Sequence, residues 1–457
     1  MRILTILVLV LANSVGYLNA QSLNKSDSIM GIWISPEEIA QLPTSGAAWE
    51  GIKNIADSDF GKAKGGHDDN HDVYTLAQAY VAVRLDDDTY RAKVADNVIS
   101  AIGSEDNGNV LSLARNLIGY VMAADLIDFK NFDPGREAQF RTWLSNVRHK
   151  ELGGQGTLIS IHERRPNNFG THATASRAAA AIYLGDHQDL ERTAQIFKGW
   201  MGDRSSYSEF KFGNLSWQAD PENPVGINPK GAKKHGHSID GVLPDDQRRG
   251  GSFKWPPPKE NYVYGALQGG LAAAHILNRA GYDTWNWQDK AMLRAYQWLH
   301  KVAKFPPKGD DRWQLPLVDY VYGTNYWDGS RVKNGKNMGW TDWSHNRSGE
   351  GVPNTSVSGV ILNSVNNQGI PDALVQLKSG NSVNHETRTN TFGNYQFNFI
   401  EAGSYELFVS GEGFEPASQT ITVTEGEQIS GIDFTLTPVS DSRAPDPPTE
   451  VNVVGED

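Results

Sequence analysis

The sequence of 457 residues contains no cysteine. This absence excludes disulfides, thiol catalysis, cysteine-ligated zinc and a lipid anchor on cysteine. The length exceeds what one apolar core usually holds, so we expect two or more domains. Cores of that size allow even a secreted chain to fold without disulfides.

Basic side chains are scarce in the C-terminal part of the chain. Residues 352–457 hold three Lys or Arg against fourteen Asp or Glu, and none of the thirteen Trp. Residues 21–351 hold 38 basic and 40 acidic side chains. The net charge of −12 for the whole chain argues against nucleic acid as a partner. The uneven distribution nevertheless leaves a nearly neutral first part that can accept an acidic polymer.

Long apolar runs are absent after the first residues of the chain. Arg2 precedes the apolar run Ile3–Ala12, and a polar stretch then ends in Leu18-Asn19-Ala20. This is the layout of a secretory signal, and the run is too short to span a membrane. We predict a signal peptide over residues 1–20, cleavage after Ala20, and a secreted or periplasmic protein with no membrane span.

Helical spacing of apolar residues dominates the next part of the chain. The predicted helices cover 73–83, 88–102, 111–127, 135–149, 171–184, 187–200, 261–280 and 286–303. Successive helices without intervening strands favour an α/α toroid over a bundle for the domain at 21–345. Two long segments between helices, 201–260 and 305–345, are predicted to be functional loops. Their aromatic residues suit flat sugar faces, although most Trp in a helical protein fill the core.

After a predicted linker at 346–356, apolar residues recur at every second position instead of with helical spacing. Short apolar or alternating runs at 357–362, 373–377, 395–399, 405–409 and 418–423 predict a small all-β sandwich over 357–438. Its turns, Gly369-Ile370-Pro371-Asp372-Ala373 and Thr391-Phe392-Gly393-Asn394-Tyr395 among them, resemble those of carboxypeptidase-regulatory-like domains. The resemblance implies an accessory module. Residues 444–451 resemble the first strand of a fibronectin type III domain, so 439–457 is predicted to be a linker and the start of a truncated domain.

The first motif with possible chemistry is Asn167-Asn168-Phe169-Gly170-Thr171-His172. If a helix begins near Asn168, then Asn168 and His172 lie four residues apart on one face. The structural alternative is a helix N-cap followed by a core histidine.

The second motif is a Gly-rich loop with two adjacent arginines, Arg248 and Arg249, ahead of a helix that carries Tyr262 and Tyr264. The structural alternative is a surface loop with an ion pair and a packed aromatic ring.

Together the two motifs resemble the alginate lyase superfamily over residues 30 to 345. In that family an Asn-Asn-His motif precedes a helix ending in Tyr-Leu-Gly-Asp, followed by Asp-Gly-x-Leu-Pro, an Arg, and Tyr-x-x-x-Ala-Leu-Gln. The matching positions here are Asn168, Arg249 and Tyr262. The chain departs from the family in having Phe169 where a His is expected, with the histidine one turn later. The Trp-Pro-Pro-Pro sequence at 255–258 also lengthens the segment from Arg to Tyr.

These departures make the chain more similar to polysaccharide lyase family thirty-eight, which acts on alginate or glucuronan. The resemblance implies an α/α-toroid lyase that needs no cofactor and no metal, with an acidic polysaccharide as its partner. A uronate polymer is cut by removing the C5 proton and expelling the C4 oxygen, which requires the neighbouring carboxylate to be neutralised. Asn168 and Arg249 are the predicted donors to that carboxylate.

The identity of the base depends on the sugar. In mannuronate and glucuronate the C5 proton and the C4 oxygen share a face, so Tyr262 alone can act as base and acid. In guluronate they lie on opposite faces, and His172 would act as base opposite Tyr262. Tyr264 competes for the tyrosine role, and Arg248 for that of Arg249.

The other predicted substrate contacts are Asn167, Arg115, Lys234, His237, Arg248 and Tyr264. His237 is also a reserve candidate for the base. A metal at His67 and His71, four residues apart, is an alternative to an acidic helix start.

Two other functions remain open from the sequence alone. A glycoside hydrolase on a similar toroid would need two facing carboxylates, for which Asp240, Asp245 and Asp246 are candidates. A non-catalytic glycan-binding protein would retain polymer without cutting it.

Overall fold

The computed structural model describes residues 31–346, 355–380, 382–389, 392–398, 400–424 and 427–439. The predicted signal peptide, most of the predicted linker and the predicted fibronectin-like start lie outside the described residues. Among the helices that are described, none is long and apolar enough to cross a membrane.

Fifteen α-helices lie in the first part of the described chain. In chain order they are α1 (Pro36–Ala40), α2 (Ala47–Asp57), α3 (His71–Leu85), α4 (Asp88–Ser100), α5 (Val110–Leu126), α6 (Phe129–Phe132), α7 (Pro134–Val147), α8 (Leu158–Arg164), α9 (Asn168–Leu184), α10 (His187–Met201), α11 (Pro244–Gln247), α12 (Tyr262–Arg279), α13 (Trp287–Gln297), α14 (Gln314–Tyr322) and α15 (Thr341–Ser344). A short hairpin of β1 (Lys233–Lys234) and β2 (His237–Ser238) precedes α11.

Four of these helices, α3, α5, α9 and α12, form an inner layer in which each packs against the next. They are buried on nearly all sides, and every residue of α5 is buried. Small residues make this approach possible, because a Cβ added to Gly119 would lie 2.9 Å from the Asp72 side chain, and one added to Gly269 would lie 2.4 Å from the His172 backbone nitrogen. Helices α2, α4, α8 and α10 cover the inner layer from outside.

The inner helices point in the same direction. Near the C-terminal end of α5, Asp125 Oδ2 accepts hydrogen bonds from the backbone of Gly31 and Ile32. At the C-terminal end of α12, Arg279 Nε donates to the Gly31 carbonyl. One end of the layer therefore rests on residues 31–34, and the N-terminal turns meet at the opposite end, which we call the mouth.

The segment 336–345 closes the ring of inner helices. The Lys336 backbone nitrogen donates to Gln268 on α12, and Trp340 Nε1 donates to the Val73 carbonyl on α3. The domain is thus the predicted α/α toroid. The prediction of a loop over 305–345 was wrong in one respect, since α14 and α15 form within it.

The second domain is a β-sandwich, as predicted. One sheet has the order β10-β3-β6, with β9 also pairing with β3, and the other has the order β5-β4-β7-β8. The strands are β3 (Ser356–Asn363), β4 (Leu374–Ser379), β5 (Ser382–Arg388), β6 (Asn394–Asn398), β7 (Gly403–Ser410), β8 (Ala417–Val423), β9 (Gln428–Ile429) and β10 (Phe434–Leu436). The sequence did not predict β5, whose residues are mostly exposed and polar.

The buried carboxyl group of Asp125 generates a prediction about stability and pH. Burial raises its pKa to about 7, against about 3.9 in an unfolded chain. A raised pKa favours the protonated fold, so this group costs up to about 4 kcal/mol of stability as pH rises from 4 to 7. In Asp125→Asn the amide oxygen can keep both backbone hydrogen bonds without this cost. Urea unfolding at several pH values should show that the free energy of unfolding of the variant rises relative to that of the parent as pH rises. A difference between the two that does not change with pH would contradict the raised pKa of Asp125.

Candidate active site

The mouth of the toroid brings the two sequence motifs together at the start of α9. Asn167 caps this helix, because its Oδ1 accepts from the Phe169 backbone nitrogen at 3.2 Å. Its Nδ2 donates to Asp245 Oδ2 at 3.0 Å, and the Asn168 backbone nitrogen donates to Asp246 Oδ1 at 3.2 Å. Two consecutive carboxylates of the second motif therefore hold two consecutive asparagines of the first.

The side chain of Asn168 remains available for a ligand. Its Oδ1 is buried and has no hydrogen-bond partner within the described chain. A buried amide oxygen without a partner costs free energy, so this atom calls for a hydrogen-bond donor that the described chain does not supply. The helix begins at Asn168 itself, as the predicted face with His172 requires.

The two arginines of the second motif have different surroundings. Arg248 Nε donates to Asp245 Oδ1 at 2.7 Å, and Asp245 also accepts from the Gly213 backbone nitrogen. Arg248 is therefore engaged in the fold. Arg249 is exposed, and its guanidinium lies 3.8 Å from the centroid of the Tyr262 ring.

The two tyrosines, Tyr262 and Tyr264, also differ in their surroundings. Tyr262 is the first residue of α12 and is 43% exposed. Tyr264 is fully buried, and its hydroxyl donates to the Phe305 carbonyl at 2.6 Å. Burial holds the pKa of Tyr264 well above its usual range. Of the two, Tyr262 is the one whose phenol can reach a substrate.

His172 lies beneath the mouth and is fully buried. Neither ring nitrogen makes a hydrogen bond of good geometry with the described residues, although the Asn337 side chain and the Gly265 backbone lie close enough to interact with the ring. Burial, together with nearby Arg115, holds the pKa of His172 well below its usual range, so the ring is neutral at neutral pH.

Asn337 lies beside His172 and was missed by the sequence analysis. It is fully buried, and both of its amide atoms lack partners within the described chain. The only available signal was its place in a long loop rich in Gly and Asn.

Arg115 on α5 forms the floor of the mouth and is 8% exposed. Its Nη1 lies 2.5 Å from His67 Nε2. Burial lowers the pKa of Arg115, and the nearby Asp68, Asp310 and Tyr262 raise it in part. Arg115, a predicted substrate contact, and Tyr262, the predicted acid and base, are thus close enough to interact electrostatically.

The predicted metal alternative at His67 and His71 has little support in the geometry. His71 is buried, with Nδ1 3.0 Å from the Tyr120 hydroxyl and Nε2 3.2 Å from the Gly61 carbonyl. His67 instead contacts Arg115. Within the described part of the chain, no three His, Asp or Glu side chains come together in a way that would hold a metal.

The remaining predicted contacts lie on the β1–β2 hairpin. Lys234 Nζ donates to the Gln218 carbonyl at 3.1 Å. The His237 ring stacks on the Trp255 ring with centroids 4.2 Å apart and planes 5° apart. The reserve candidate for the base is therefore covered on one face by an indole.

Comparison with known proteins agrees with both resemblances noted in the sequence. Residues 68–204 match the family model for alginate lyase, and residues 356–437 match that for the carboxypeptidase regulatory-like domain. No curated protein matches the chain. The first match includes Arg115, Asn168 and His172, and the geometry adds Arg249 and Tyr262 to the same mouth. The chain therefore carries an alginate lyase domain, which supports a polysaccharide lyase, followed by a carboxypeptidase regulatory-like domain.

Proposed function

We propose that this chain is a secreted or periplasmic lyase that cuts 1,4-linked uronate polymers, either mannuronate-rich alginate or glucuronan, by β-elimination. The observation that carries the proposal is the exposed Tyr262 at the mouth with the Arg249 guanidinium 3.8 Å from its ring centroid. A phenol and a cation at the mouth that also carries Asn168, whose amide nitrogen can donate to a carboxylate, are the groups that this reaction needs.

The proposed reaction begins with the uronate carboxylate. Asn168 and Arg249 donate hydrogen bonds to it, so the negative charge that develops there in the transition state is stabilised. Asn168 is suited to this role because Asp246 fixes its backbone in a buried position. A donor that is already oriented needs no reorganisation as the charge develops.

Tyr262 then moves one proton. Starting as the phenolate, it takes the proton from C5, and the electrons of that bond form the C4–C5 double bond. The C4–O bond breaks, and the phenol returns the proton to the departing oxygen. One exposed tyrosine can do both steps only when the proton and the oxygen share a face, which favours mannuronate or glucuronate over guluronate.

The hydrolase alternative has less support because its candidate carboxylates are engaged in the fold. Asp240 pairs with Arg294 at 2.6 Å, and Asp245 pairs with Arg248. Asp246 is 1% exposed and accepts from the Asn168 backbone. A hydrolase needs two carboxyl groups that face each other across the sugar and are available to it, and these three are already engaged within the fold.

The first test compares Tyr262→Phe with its matched control Tyr264→Phe. The product of elimination is unsaturated and absorbs in the ultraviolet, so activity on mannuronan, guluronan and glucuronan can be followed directly. We expect Tyr262→Phe to lower kcat by about 10²- to 10⁴-fold, since it removes the acid and base. Tyr264→Phe should lose about 1 kcal/mol of stability with its hydrogen bond and retain most activity.

Three outcomes would contradict the proposal. Full activity of Tyr262→Phe would transfer the proton steps to another group. Release of reducing ends without ultraviolet absorption would indicate a hydrolase, and retention of polymer without any cleavage would indicate a binding protein.

The proposal of secretion is tested separately, by sequencing the N-terminus of the exported protein, which should begin at Gln21.

The burial of His172 generates a prediction about its charge. Because the folded pKa lies well below the usual value, the ring should stay neutral as pH falls from 7.5 to 6.0. The ¹³C shifts of the ring measure this, with His172→Gln used to assign the signal. If the signal titrates near pH 6.5, the ring is hydrated rather than enclosed.

A further inference from the structure

Trp255 differs from every other tryptophan of the chain. All thirteen are described, and Trp255 alone is exposed, with 38% of its surface open. It belongs to the segment that lengthens the interval between Arg249 and Tyr262 relative to the family pattern. A large aromatic ring exposed at such a place is available to contact a ligand.

The segment around Trp255 is fixed to the body of the domain. Phe253 points inward, where its ring contacts the Trp217 ring with centroids 4.8 Å apart. Its backbone nitrogen donates to Ser216 Oγ, and Trp217 Nε1 donates to the Gly251 carbonyl. The outward position of Trp255 is therefore built into the loop.

His237 supports the indole from one side. The two rings are nearly parallel, with planes 5° apart and centroids 4.2 Å apart. A flat ring already held in place binds a second flat surface with little further loss of side-chain entropy. The stack has the shape that suits the apolar face of a pyranose ring.

Three exposed lysines lie close to this stack along the chain. Lys254 and Lys259 flank Trp255 in sequence and are exposed, and Lys233 is exposed on the hairpin that carries His237. The nearest acidic residue along the loop, Glu260, accepts a hydrogen bond from the Tyr262 backbone nitrogen. Lysines around an exposed aromatic ring match a sugar that carries a carboxylate.

The loop that carries Trp255 begins and ends at the proposed reaction site. Gln247 Nε2 donates to the Pro258 carbonyl at 2.8 Å, which closes the base of the loop. Arg249 precedes the loop and Tyr262 follows it, so both ends of the loop lie at the proposed reaction site. A polymer held there can extend along the loop.

We propose that Trp255 and His237, with Lys233, Lys254 and Lys259 around them, form an additional subsite that stacks one uronate ring of the polymer outside the pair that reacts. This inference rests on the proposed function. The subsite contributes to holding polymer and takes no part in the proton steps.

The test compares Trp255→Ala with the conservative Trp255→Phe on a uronate polymer and on its trimer. Stacking on an aromatic ring contributes enough that its loss should raise KM for the polymer roughly tenfold, with a much smaller change in kcat. The ratio of polymer to trimer kcat/KM should fall by a similar factor. Trp255→Phe should restore most of it. A double variant, Lys254→Ala with Lys259→Ala, should weaken the dependence of KM on salt.

Binding is measured independently of catalysis in the Tyr262→Phe background. Polymer should quench the tryptophan fluorescence of this protein, and the quenching should be lost when Trp255 is also replaced. If the enzyme cuts polymer but Trp255→Ala leaves both KM and quenching unchanged, the subsite is wrong and the proposed function stands. If no uronate polymer is cut yet quenching by it depends on Trp255, the subsite stands and the proposed function is wrong. Equal quenching by a neutral glucan would contradict selection for a uronate.

Discussion

Two consecutive carboxylates, Asp245 and Asp246, hold the proposed site together. Asp245 joins Asn167, Gly213 and Arg248, while Asp246 holds the backbone of Asn168. Both carboxyl groups are almost fully buried, and burial next to Asp245 raises the pKa of Asp246 well above its usual range. Burying these two carboxyl groups is electrostatically unfavourable. Their hydrogen bonds nevertheless hold two segments that are distant in sequence in a fixed geometry at the mouth.

The mouth itself is unusual for the polar groups it leaves unsatisfied. Asn168, His172 and Asn337 each carry buried atoms that lack a partner within the described chain, and so does Nε of Arg115. The rest of the domain provides these four side chains with rigid support, because they lie on or beside tightly packed inner helices. A site that is oriented but unsatisfied is what transition-state stabilisation requires of a protein before its ligand arrives.

The sequence predicted the fold well where periodicity was strong. The helix predicted over 171–184 begins three residues earlier, at Asn168, where the Asn167 side chain caps it. The strand β5 and the helix α14 were missed, since the first is largely polar and the second lies in a segment dominated by aromatic residues and turn signals. The family resemblance favoured Tyr262 and left Tyr264 as its competitor, and the burial of Tyr264 supports the same choice. Asn337 could not be predicted, because its importance comes from a contact with a helix far away in sequence.

The ring closes through contacts between residues that are very distant along the chain. Trp340 reaches Val73, and Arg279 reaches Gly31. The Arg279 contact can form only after residue 279 is synthesised, and the Trp340 contact only after residue 340, so the alanine-rich inner helices lack their full set of neighbours until then. Folding dominated by such distant pairs is slow. The predicted signal peptide implies export in an unfolded state. Slow folding would favour such export, because the toroid could not complete its fold before its last helix had crossed the membrane.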